Sequence, residues 1–546
     1  MKKLVLLSTI LVWSFFITST FGQQVQLDSL FEKFANEPGI AVAVHKDGQY
    51  VYKNAFGLSN LDYEIEISEE TLFEVGGLAM HITACSILKL EDQGKLTLDT
   101  KVNDILEDLP DYSEGGVTIN HLLHHTSGIM DYLVAFGMTG HVWESPINTS
   151  KAYKLIKKNP KLGFKPGNEY EYSNSNYVLL NKVIQELSDT TINAYATEFL
   201  FKPLGMLNTS YYEKSNAVMK NRAVSYTMSE DDYEIDQTRH FTSSGDGRLY
   251  TNMNDLMVWA ESLEGNTHPV KDVESRLTER GLLNDGSKIS YALGVQHGIN
   301  KGYPFYGHSG YWDGFSAMFL KVPDENFWVL TLSNNSSVSA PNHAYNILDL
   351  ILGQNQNVAV PKKYKISTKS LKKYEGNYIT YKNGYLRELV IENDTLVYKY
   401  VEDSGPEFKL LPIAKDRFKV LGAIADYSLK FTLEKGKPKK MDFLRNGIVN
   451  YRYESYAAIG EKVDLNPFLG TYRNEALGVI YELKKDQEEG MAIHVKGEKL
   501  MNYLPVMTNI FSSKSTHHGY LRFNKEKSEF TISDYSFKPI LFERVD

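Results

Sequence analysis

Two short segments of the sequence place proton-carrying side chains close to a small or amide residue. Tyr172 is followed two residues later by Asn174, and His308 is followed two residues later by Gly310. Tyrosine and histidine both serve as general acids or bases, and an asparagine amide can orient a ligand. A third segment, Ser86–Lys89, has the S-x-x-K spacing in which a lysine helps to deprotonate a serine nucleophile. These residues are therefore the first candidates for acid–base or nucleophilic chemistry.

Metal chemistry is not predicted. His124 and His125 are adjacent, and neighbouring residues on a helix point about 100° apart, so the pair is poorly placed to share an ion. The sequence has no H-E-x-x-H segment, and the single cysteine, Cys85, cannot form an internal disulfide or a zinc cluster. We therefore expect no metal and no cofactor, and we expect the two histidines to pack and form hydrogen bonds.

The elements that would position these residues alternate between strand and helix patterns up to about residue 355. Hairpins are predicted near both ends of this region, around the turns at 47–48 and 323–326. This order predicts an α+β domain over 25–355, whose antiparallel sheet joins both ends of the domain. The apolar spacing predicts helices at about Leu78–Gln93, Asn174–Leu187, Ile192–Phe201 and Asn254–Ser262.

A polar linker is predicted over 356–370, and the helical pattern disappears beyond it. The rest of the chain contains a repeat of 94 residues, in which the pattern L-x-x-aromatic-x-G-x-Y begins at Leu371 and again at Leu465. Short runs rich in Tyr, Phe and Val, separated by Gly, Asn and Asp, are typical of β-strands. We therefore predict two small all-β modules, sandwiches or barrels, over 371–457 and 465–546.

The N-terminal sequence predicts where the protein is located, and the net charge limits the kinds of partner it can bind. Residues 1–22 combine a basic start, an apolar run over 4–17 and small residues before a cut after Gly22, which is typical of a secretory signal peptide. The alternative is an uncleaved N-terminal anchor. No other apolar run approaches the ~18 residues of a membrane span, and a net charge of −9 argues against a nucleic-acid partner. We therefore predict an exported protein, periplasmic or extracellular, with no membrane span after signal cleavage.

Five segments of the first domain carry a family resemblance. They are Phe73–Asp99, Thr118–Gly128, Pro166–Tyr177, Pro203–Thr209 and Tyr306–Gly310. In this order they resemble the serine β-lactamase and penicillin-binding-protein-like hydrolases, in particular the branch related to class C β-lactamases. The resemblance covers about residues 28–350. It implies a β-lactamase/transpeptidase-like fold and a serine hydrolase that works through an acyl-enzyme.

The resemblance also assigns roles to single residues. It implies that Tyr172, in the family's Y-x-N motif, shuttles protons and that His308, in its H-x-G motif, lines the pocket from a strand. It places the family's serine nucleophile at Gly77 and its lysine at Met80. Glycine has no side-chain oxygen and methionine has no amine, so both groups that start acyl-enzyme chemistry are missing.

Ser86 does not replace the missing nucleophile. It lies nine residues beyond Gly77 on the same predicted helix, which places it on the opposite face and about 13 Å along the axis. His81, next to Met80, is the nearby group that could supply a base. A base without a nucleophile forms no acyl-enzyme.

The resemblance also implies that this chain retains the family's groups for binding a carbonyl or carboxylate oxygen. The family's oxyanion hole consists of two backbone N–H groups, which correspond here to those of Gly77 and Tyr311. Backbone groups do not depend on the side chain that has been lost. The predicted ligand-binding residues are therefore Gly77, Asn174, Ser309, Gly310 and Tyr311, beside Tyr172 and His308.

Three functions stay open. The first is a catalytically impaired pseudoenzyme that binds a peptide-like or acyl ligand, such as a peptidoglycan fragment, without cleaving it. The second is an active esterase, amidase or D-aminopeptidase that uses a non-standard nucleophile, or a water molecule activated by Tyr172 or His308. The third is an interaction protein whose β modules bind a partner protein. Restoring Ser and Lys at Gly77 and Met80 discriminates between the first two, and deletion of 365–546 tests the third.

Overall fold

The computed structural model describes most of the chain from residue 24 to its end. The described residues are 24–112, 115–140, 146–230, 232–238, 240–265, 267–353, 355, 362–380, 385–401, 407–423, 426–435, 437–445, 447–457, 459, 463–486, 490–513, 519–534 and 537–546. The predicted signal peptide at 1–22, and residues 356–361 of the predicted linker, lie outside these residues. Within the described part, no helix is long and apolar enough to cross a membrane.

A six-stranded antiparallel sheet forms the centre of the first domain, and it joins both ends of that domain as predicted. The two predicted hairpins supply four consecutive strands of this sheet, and Ile40 pairs with Ser333 between them. Alternate residues of the strand Ile40–Lys46 pack into two separate cores, one on each face of the sheet. The strand order is Gln296–Asn300, Tyr303–Trp312, Phe315–Val322, Phe327–Ser333, Ile40–Lys46 and Gln49–Phe56.

Helices cover this sheet and agree closely with three of the four predicted spans. Ala79–Asp92, Asn174–Ser188 and Met253–Ser262 lie where apolar spacing predicts them. The fourth is divided into Ile192–Ala196, a wider turn at Thr197–Phe201 and Lys202–Leu204. Further helices, which the sequence analysis does not identify, are Ile119–Leu123, Tyr132–Met138, Thr149–Lys158, Val273–Leu277 and Ala340–Leu352.

The first domain also contains short strands outside the central sheet, which pair within its loops. A three-stranded sheet of Phe73–Glu74, Leu249–Thr251 and Ser210–Tyr211 holds the chain that leads into the helix at Ala79. The remaining strands form two-stranded pairs. These pairs are Leu58–Asn60 with Ile65–Glu66, Ile147–Asn148 with Phe241–Thr242, and Tyr226–Ser229 with Asp232–Ile235.

Both C-terminal modules are closed eight-stranded antiparallel barrels, one of the two architectures predicted for them. The first barrel follows a short helix at Thr368–Leu371, and its strands are Gly376–Ile379, Leu386–Glu392, Thr395–Tyr400, Phe408–Ala414, Arg417–Val420, Tyr427–Glu434, Lys437–Arg445 and Ile448–Tyr456. The second consists of Gly470–Asn474, Val479–Lys485, Met491–Val495, Glu498–Met507, Ile510–Ser513, Tyr520–Phe523, Glu529–Asp534 and Phe537–Arg544.

The residues of the sequence repeat form the same local structure in both barrels. Its aromatic residue is buried at the end of a single helical turn, and its tyrosine lies on the first strand. The hydroxyl of Tyr378 donates to the carbonyl of Tyr374 at 2.8 Å, and that of Tyr472 donates to the carbonyl of Phe468 at 3.0 Å. The repeated pattern therefore encodes the same hydrogen bond in each barrel, from a tyrosine on the first strand to the helical turn that precedes it.

Both barrels contact other parts of the molecule. The hydroxyl of Tyr481, in the second barrel, donates to the carbonyl of Met138 at 2.8 Å, and Ala135 packs into the core of that barrel. Ile379 of the first barrel packs with Ile510 of the second. The helix Tyr132–Met138 thus docks the second barrel onto the first domain.

Candidate functional site

A cavity of about 590 Å³ opens beside the edge of the central sheet. One wall is the strand Tyr303–Trp312, and a second is formed by the residues just before the helix Ala79–Asp92. The start of the helix Asn174–Ser188 and the polar segment 243–248 form further walls. All seven predicted site residues line this cavity: Gly77, Tyr172, Asn174, His308, Ser309, Gly310 and Tyr311.

Gly77 lies between the two predicted catalytic side chains. A Cβ atom added at Gly77 would stand 3.0 Å from the hydroxyl oxygen of Tyr172 and 3.1 Å from Cε1 of His308. Any side chain at this position would therefore enter the space between tyrosine and histidine. Glycine leaves that space without a nucleophile.

The backbone around Gly77 packs directly against the strand that carries His308. A Cβ at Gly310 would stand 1.8 Å from the carbonyl oxygen of Val75 and 2.9 Å from the nitrogen of Gly77. A Cβ at Gly76, where φ is +48°, would stand 2.8 Å from the nitrogen of Tyr311. Glycine is required at both positions for this approach, which brings the two predicted oxyanion-hole segments side by side.

Met80 is fully buried, one helical turn beyond Gly77. Its sulfur lies 3.2 Å from the hydroxyl oxygen of Tyr172 and 3.5 Å from that of Tyr291. Burial raises the pKa of the Tyr172 hydroxyl well above its ordinary value. Tyr172 is therefore protonated at neutral pH, and the weak thioether acceptor beside it cannot take its proton.

His308 is held as a neutral imidazole. Its Nδ1 lies 2.6 Å from the carbonyl oxygen of Ser309, which only accepts, so Nδ1 carries the proton. Its Nε2 lies 3.1 Å from the hydroxyl of Tyr291 and therefore accepts from it. Burial lowers the pKa of His308 to about 4, so the ring is uncharged at neutral pH. Both ring nitrogens are already engaged in the absence of a ligand.

Asn174 is oriented by a buried carboxylate. Its backbone N–H and its side-chain amide donate to the same oxygen of Asp131, at 2.7 and 2.8 Å. The other Asp131 oxygen accepts from the backbone N–H of Leu133 and caps the helix Tyr132–Met138. Burial raises the pKa of Asp131, and these three hydrogen bonds oppose the shift.

A buried ion pair closes one side of the cavity. Arg248 is 3% exposed and lies 2.7 Å from the Glu74 carboxylate and 3.1 Å from that of Asp313. Burial raises the pKa of Glu74, and the guanidinium charge of Arg248 opposes that shift. Asp313 also accepts from the backbone and hydroxyl of Thr238. This network ties the loop before the Gly77 turn to the end of the His308 strand.

Asp246 also lines the cavity, and one of its oxygens lacks a partner. Its Oδ2 accepts from the hydroxyl of Tyr132 at 2.8 Å, whereas Oδ1 is buried with no hydrogen-bond partner among the described residues. Burial raises the pKa of Asp246 to about 7. This side chain can therefore accept a hydrogen bond from a ligand or, near neutral pH, exchange a proton with it.

The remaining sequence candidates lie away from the cavity or serve it indirectly. His81 does not supply a local base: it is buried, stacked on Trp259, and burial lowers its pKa to about 3. Ser86 is buried and donates to the carbonyl of Ile82, four residues earlier. His124 contacts two backbone carbonyls, whereas the ring of His125 packs 4.4 Å from that of Tyr172.

No group of three or more His, Cys, Asp or Glu side chains is arranged to hold a metal ion in the part of the chain that the structure describes. The polar groups of the cavity are instead arranged around Gly77. Tyr172 and His308 flank it, backbone segments of Gly76 and Tyr311 adjoin it, and Asp246 faces the same space. This arrangement suits an acyl or amide group better than a cation.

The comparison with known proteins decides the family. A family model described as Beta-lactamase matches residues 27–352, more than half of the chain. The chain belongs to the beta-lactamase family. The predicted fold class, a β-lactamase-like domain followed by two all-β modules, is thereby confirmed.

Among similar proteins of the beta-lactamase family is penicillin-binding protein 4* of Bacillus subtilis (strain 168). It is 27% identical over 451 residues, which cover 78% of this chain and 97% of that protein. A D-aminopeptidase of Gluconobacter oxydans (strain 621H) is 26% identical over 347 residues, with 64% of each chain covered.

Solved structures show the same fold. The octameric penicillin-binding protein homologue from Pyrococcus abyssi has a TM-score of 0.53 at 24% identity, covering 76% of this chain and 95% of that one. A structure of SurE has a TM-score of 0.52 at 17% identity, covering 80% and 99% of the two chains. At these identities the likeness concerns the fold alone.

Several residues of this beta-lactamase-family site are not found by the sequence analysis. Tyr291 carries no motif, and Asp131, Glu74 and Arg248 are separated from one another along the chain. Asp246 does carry a signal, because it lies in a polar run, Ser-Ser-Gly-Asp-Gly-Arg, between two strands. Two lining residues come from the first barrel, and no pattern within the first domain could have predicted them.

Proposed function

We propose that this protein is an exported pseudoenzyme of the beta-lactamase family that binds a peptide-like or acyl ligand without forming an acyl-enzyme. One observation carries the proposal: the position that faces Tyr172 and His308 is occupied by Gly77, and the turn above it by Met80. In a serine protease, loss of the nucleophile alone lowers turnover by about 10⁶. Hydrolysis through an acyl-enzyme should therefore be close to background.

The rest of the cavity supports binding. The cavity is lined by backbone and side-chain polar groups that do not depend on the missing serine, such as those of Asn174, Asp246 and Tyr311, and these groups can bind polar atoms of an acyl or peptide ligand. The hydrogen bonds of Asn174 and His308 fix both side chains before a ligand arrives. A site that is formed in advance loses little conformational freedom on binding.

The two residues considered as activators of water are poor bases. The Tyr172 hydroxyl has a pKa raised by burial, so it keeps its proton at neutral pH. His308 is neutral, but its Nε2 already accepts from Tyr291. Neither group is free to take a proton from water, which favours the binding function over hydrolysis.

The proposed location of the protein rests on its N-terminal sequence, and the proposed ligand class rests on its relatives. The N-terminal 22 residues have the composition of a cleavable export signal. One relative is a penicillin-binding protein and another is a D-aminopeptidase, so a ligand with an acylated D-amino acid, such as a peptidoglycan fragment, fits the family. The N-terminal residue of the mature protein, read by N-terminal sequencing of exported material, tests the predicted cut after Gly22.

Intact-mass spectrometry tests the pseudoenzyme. The wild type and the variant Gly77→Ser/Met80→Lys are incubated separately with a penicillin and with a fluorophosphonate. We expect the wild type to keep its mass and the variant to gain one adduct, because a serine at position 77 would lie between Tyr172 and His308. An adduct on the wild type, located by peptide mapping, would identify another nucleophile and overturn the proposal.

One observation favours a second candidate, hydrolysis by a directly activated water molecule. Asp246 lines the cavity, its buried Oδ1 has no hydrogen-bond partner among the described residues, and its pKa of about 7 suits a general base. Turnover of D-alanine p-nitroanilide by the wild type, lost in Asp246→Asn and unchanged in Lys202→Ala, whose side chain is exposed away from the cavity, would support this candidate. Equal background rates in all three proteins would exclude it.

A further inference from the structure

The first barrel reaches into the cavity of the other domain. Arg445 and Tyr451 line that cavity, and they lie on the neighbouring strands Lys437–Arg445 and Ile448–Tyr456. Phe443 pairs with Tyr451 across this hairpin, and Arg445 is the last residue of its strand. One hairpin of the first barrel therefore supplies part of the cavity wall.

Two arginines line the cavity, and they differ in their partners. Arg248 is satisfied by the carboxylates of Glu74 and Asp313. Arg445 has a buried Nε without a hydrogen-bond partner among the described residues. A buried guanidinium N–H without a partner is costly, since it has lost water and gained nothing in return.

The surroundings of Arg445 are aromatic as well as charged. Burial raises the pKa of the Tyr170 hydroxyl, and the Arg445 charge opposes that shift, as it also does for Tyr345. Tyr170 belongs to the first domain and lines the cavity beside Tyr172. The charge of Arg445 therefore acts on tyrosine hydroxyls around it, and one of these, Tyr170, lines the same cavity.

We propose that Arg445 makes the first barrel part of the ligand site and selects ligands that carry a carboxylate. This inference rests on the proposed binding function and names the ligand class. A guanidinium binds a carboxylate through two parallel hydrogen bonds, and Arg445 is one of the residues that line this cavity.

The charge of the cavity favours a carboxylate over a phosphate. Four carboxyl groups, those of Glu74, Asp131, Glu171 and Asp246, line the same space. Glu74 is paired with Arg248, and those of the other three that are ionised repel an anionic ligand, more strongly as the charge of that ligand grows. A singly charged group beside Arg445 is therefore preferred, with the uncharged acyl part of the ligand turned towards Gly77.

Isothermal titration calorimetry with a matched pair of probes tests this inference. The probes are N-acetyl-D-alanyl-D-alanine and its C-terminal amide, which differ by one charge. We expect the wild-type protein to bind the acid at least about tenfold more tightly than the amide, the range for a hydrogen bond to a charged group. Arg445→Gln should bind both probes equally, and Arg445→Lys should keep part of the preference.

Arg452→Gln is the matched control. Arg452 lies on the same hairpin, but its side chain is 73% exposed and pairs with Asp442 away from the cavity. This variant should keep the full preference for the acid, and Arg445→Lys covers the case in which Arg445→Gln does not fold.

The outcomes separate the two proposals. If the wild type binds the acid and the amide equally, or if Arg445→Gln keeps the preference, the role of Arg445 is wrong and the binding function stands. If neither probe binds to the wild type, both the carboxylate selection and the proposed peptide ligand are overturned.

Discussion

The hydroxyl oxygen of Tyr172 lies 3.2 Å from the sulfur of Met80. A thioether is a weak acceptor and carries no charge, so the proton of this tyrosine has no strong base beside it. Met80 is fully buried and also touches the hydroxyl of Tyr291. The methionine therefore contacts both tyrosine hydroxyls and offers neither of them a strong proton acceptor.

Replacement of Tyr172 by phenylalanine should have little effect on stability. The variant loses only the hydrogen bond from this hydroxyl to the Met80 sulfur. We therefore expect the free energy of unfolding to fall by less than about 1 kcal/mol. Urea unfolding followed by tryptophan fluorescence measures this change in the first domain, because all five tryptophans precede residue 329. A loss above about 2 kcal/mol would show that the hydroxyl has a stronger partner than Met80.

Removal of Arg248 should be far more damaging. Arg248→Ala leaves the carboxylate of Glu74, which is 1% exposed, without its counter-charge. Breaking a buried ion pair from one side costs about 3–5 kcal/mol, since the remaining charge stays desolvated. We expect the tryptophan-detected midpoint in urea to fall accordingly.

The exposed pair of Lys202 and Glu198 provides the control for Arg248. Both side chains are 62% exposed and lie one helical turn apart. Lys202→Ala should cost about 0.5 kcal/mol or less in the same assay. Similar losses in Arg248→Ala and Lys202→Ala would mean that the buried network does not stabilise the site.

The sequence predicts the architecture of the first domain well, because its signals are local. The turn at 47–48 and the one at 323–326 sit between apolar runs, and these runs become adjacent hairpins of the central sheet. The helix Tyr132–Met138 is missed, and its apolar residues are divided between two cores. Tyr132 and Phe136 pack into the first domain, whereas Ala135 and Met138 pack into the second barrel, more than 300 residues away.

The residues of the candidate site likewise fall into those with a local sequence signal and those that depend on distant partners. Tyr172, His308 and Gly77 belong to short motifs, so a resemblance brings them together before the structure does. Asp131 and Tyr291 act through distant partners, and their types alone do not distinguish them from other buried polar residues. Arg445 comes from a different domain, so only the docked barrel reveals it.

Asp246 should make the protein less stable as the pH rises. An aspartate in an unfolded chain has a pKa of about 3.9, whereas burial raises that of Asp246 to about 7 in the folded protein. Between pH 4 and 7 the folded state keeps a proton that the unfolded state has released. Stability from this group is therefore complete below pH 4 and is lost as the pH rises through 7, by roughly 1.4 kcal/mol per pKa unit.

Asp246→Asn isolates this contribution, since asparagine can still accept from Tyr132. We expect the difference in unfolding free energy between wild type and variant to move in favour of the variant from pH 4.5 to pH 8. Buried His81 and His308 have lowered pKa values and produce the opposite slope, but they do so equally in both proteins. A difference that is independent of pH would show that Asp246 is ionised throughout.

The tyrosines of the repeat should contribute equally to the two barrels. Tyr378→Phe and Tyr472→Phe each remove a hydroxyl that donates to a carbonyl four residues earlier, at a cost of about 1 kcal/mol. The Tyr472 hydroxyl also lies 3.3 Å from the carbonyl oxygen of Lys527 and shares its proton with it. Hydrogen-exchange mass spectrometry reports each barrel through its own peptides, so each variant should accelerate exchange about fivefold in its own barrel and leave the other unchanged. The double variant should combine both effects, because the two sites share no partner. Faster exchange in both barrels from either single variant would instead mean that the barrels unfold as one unit.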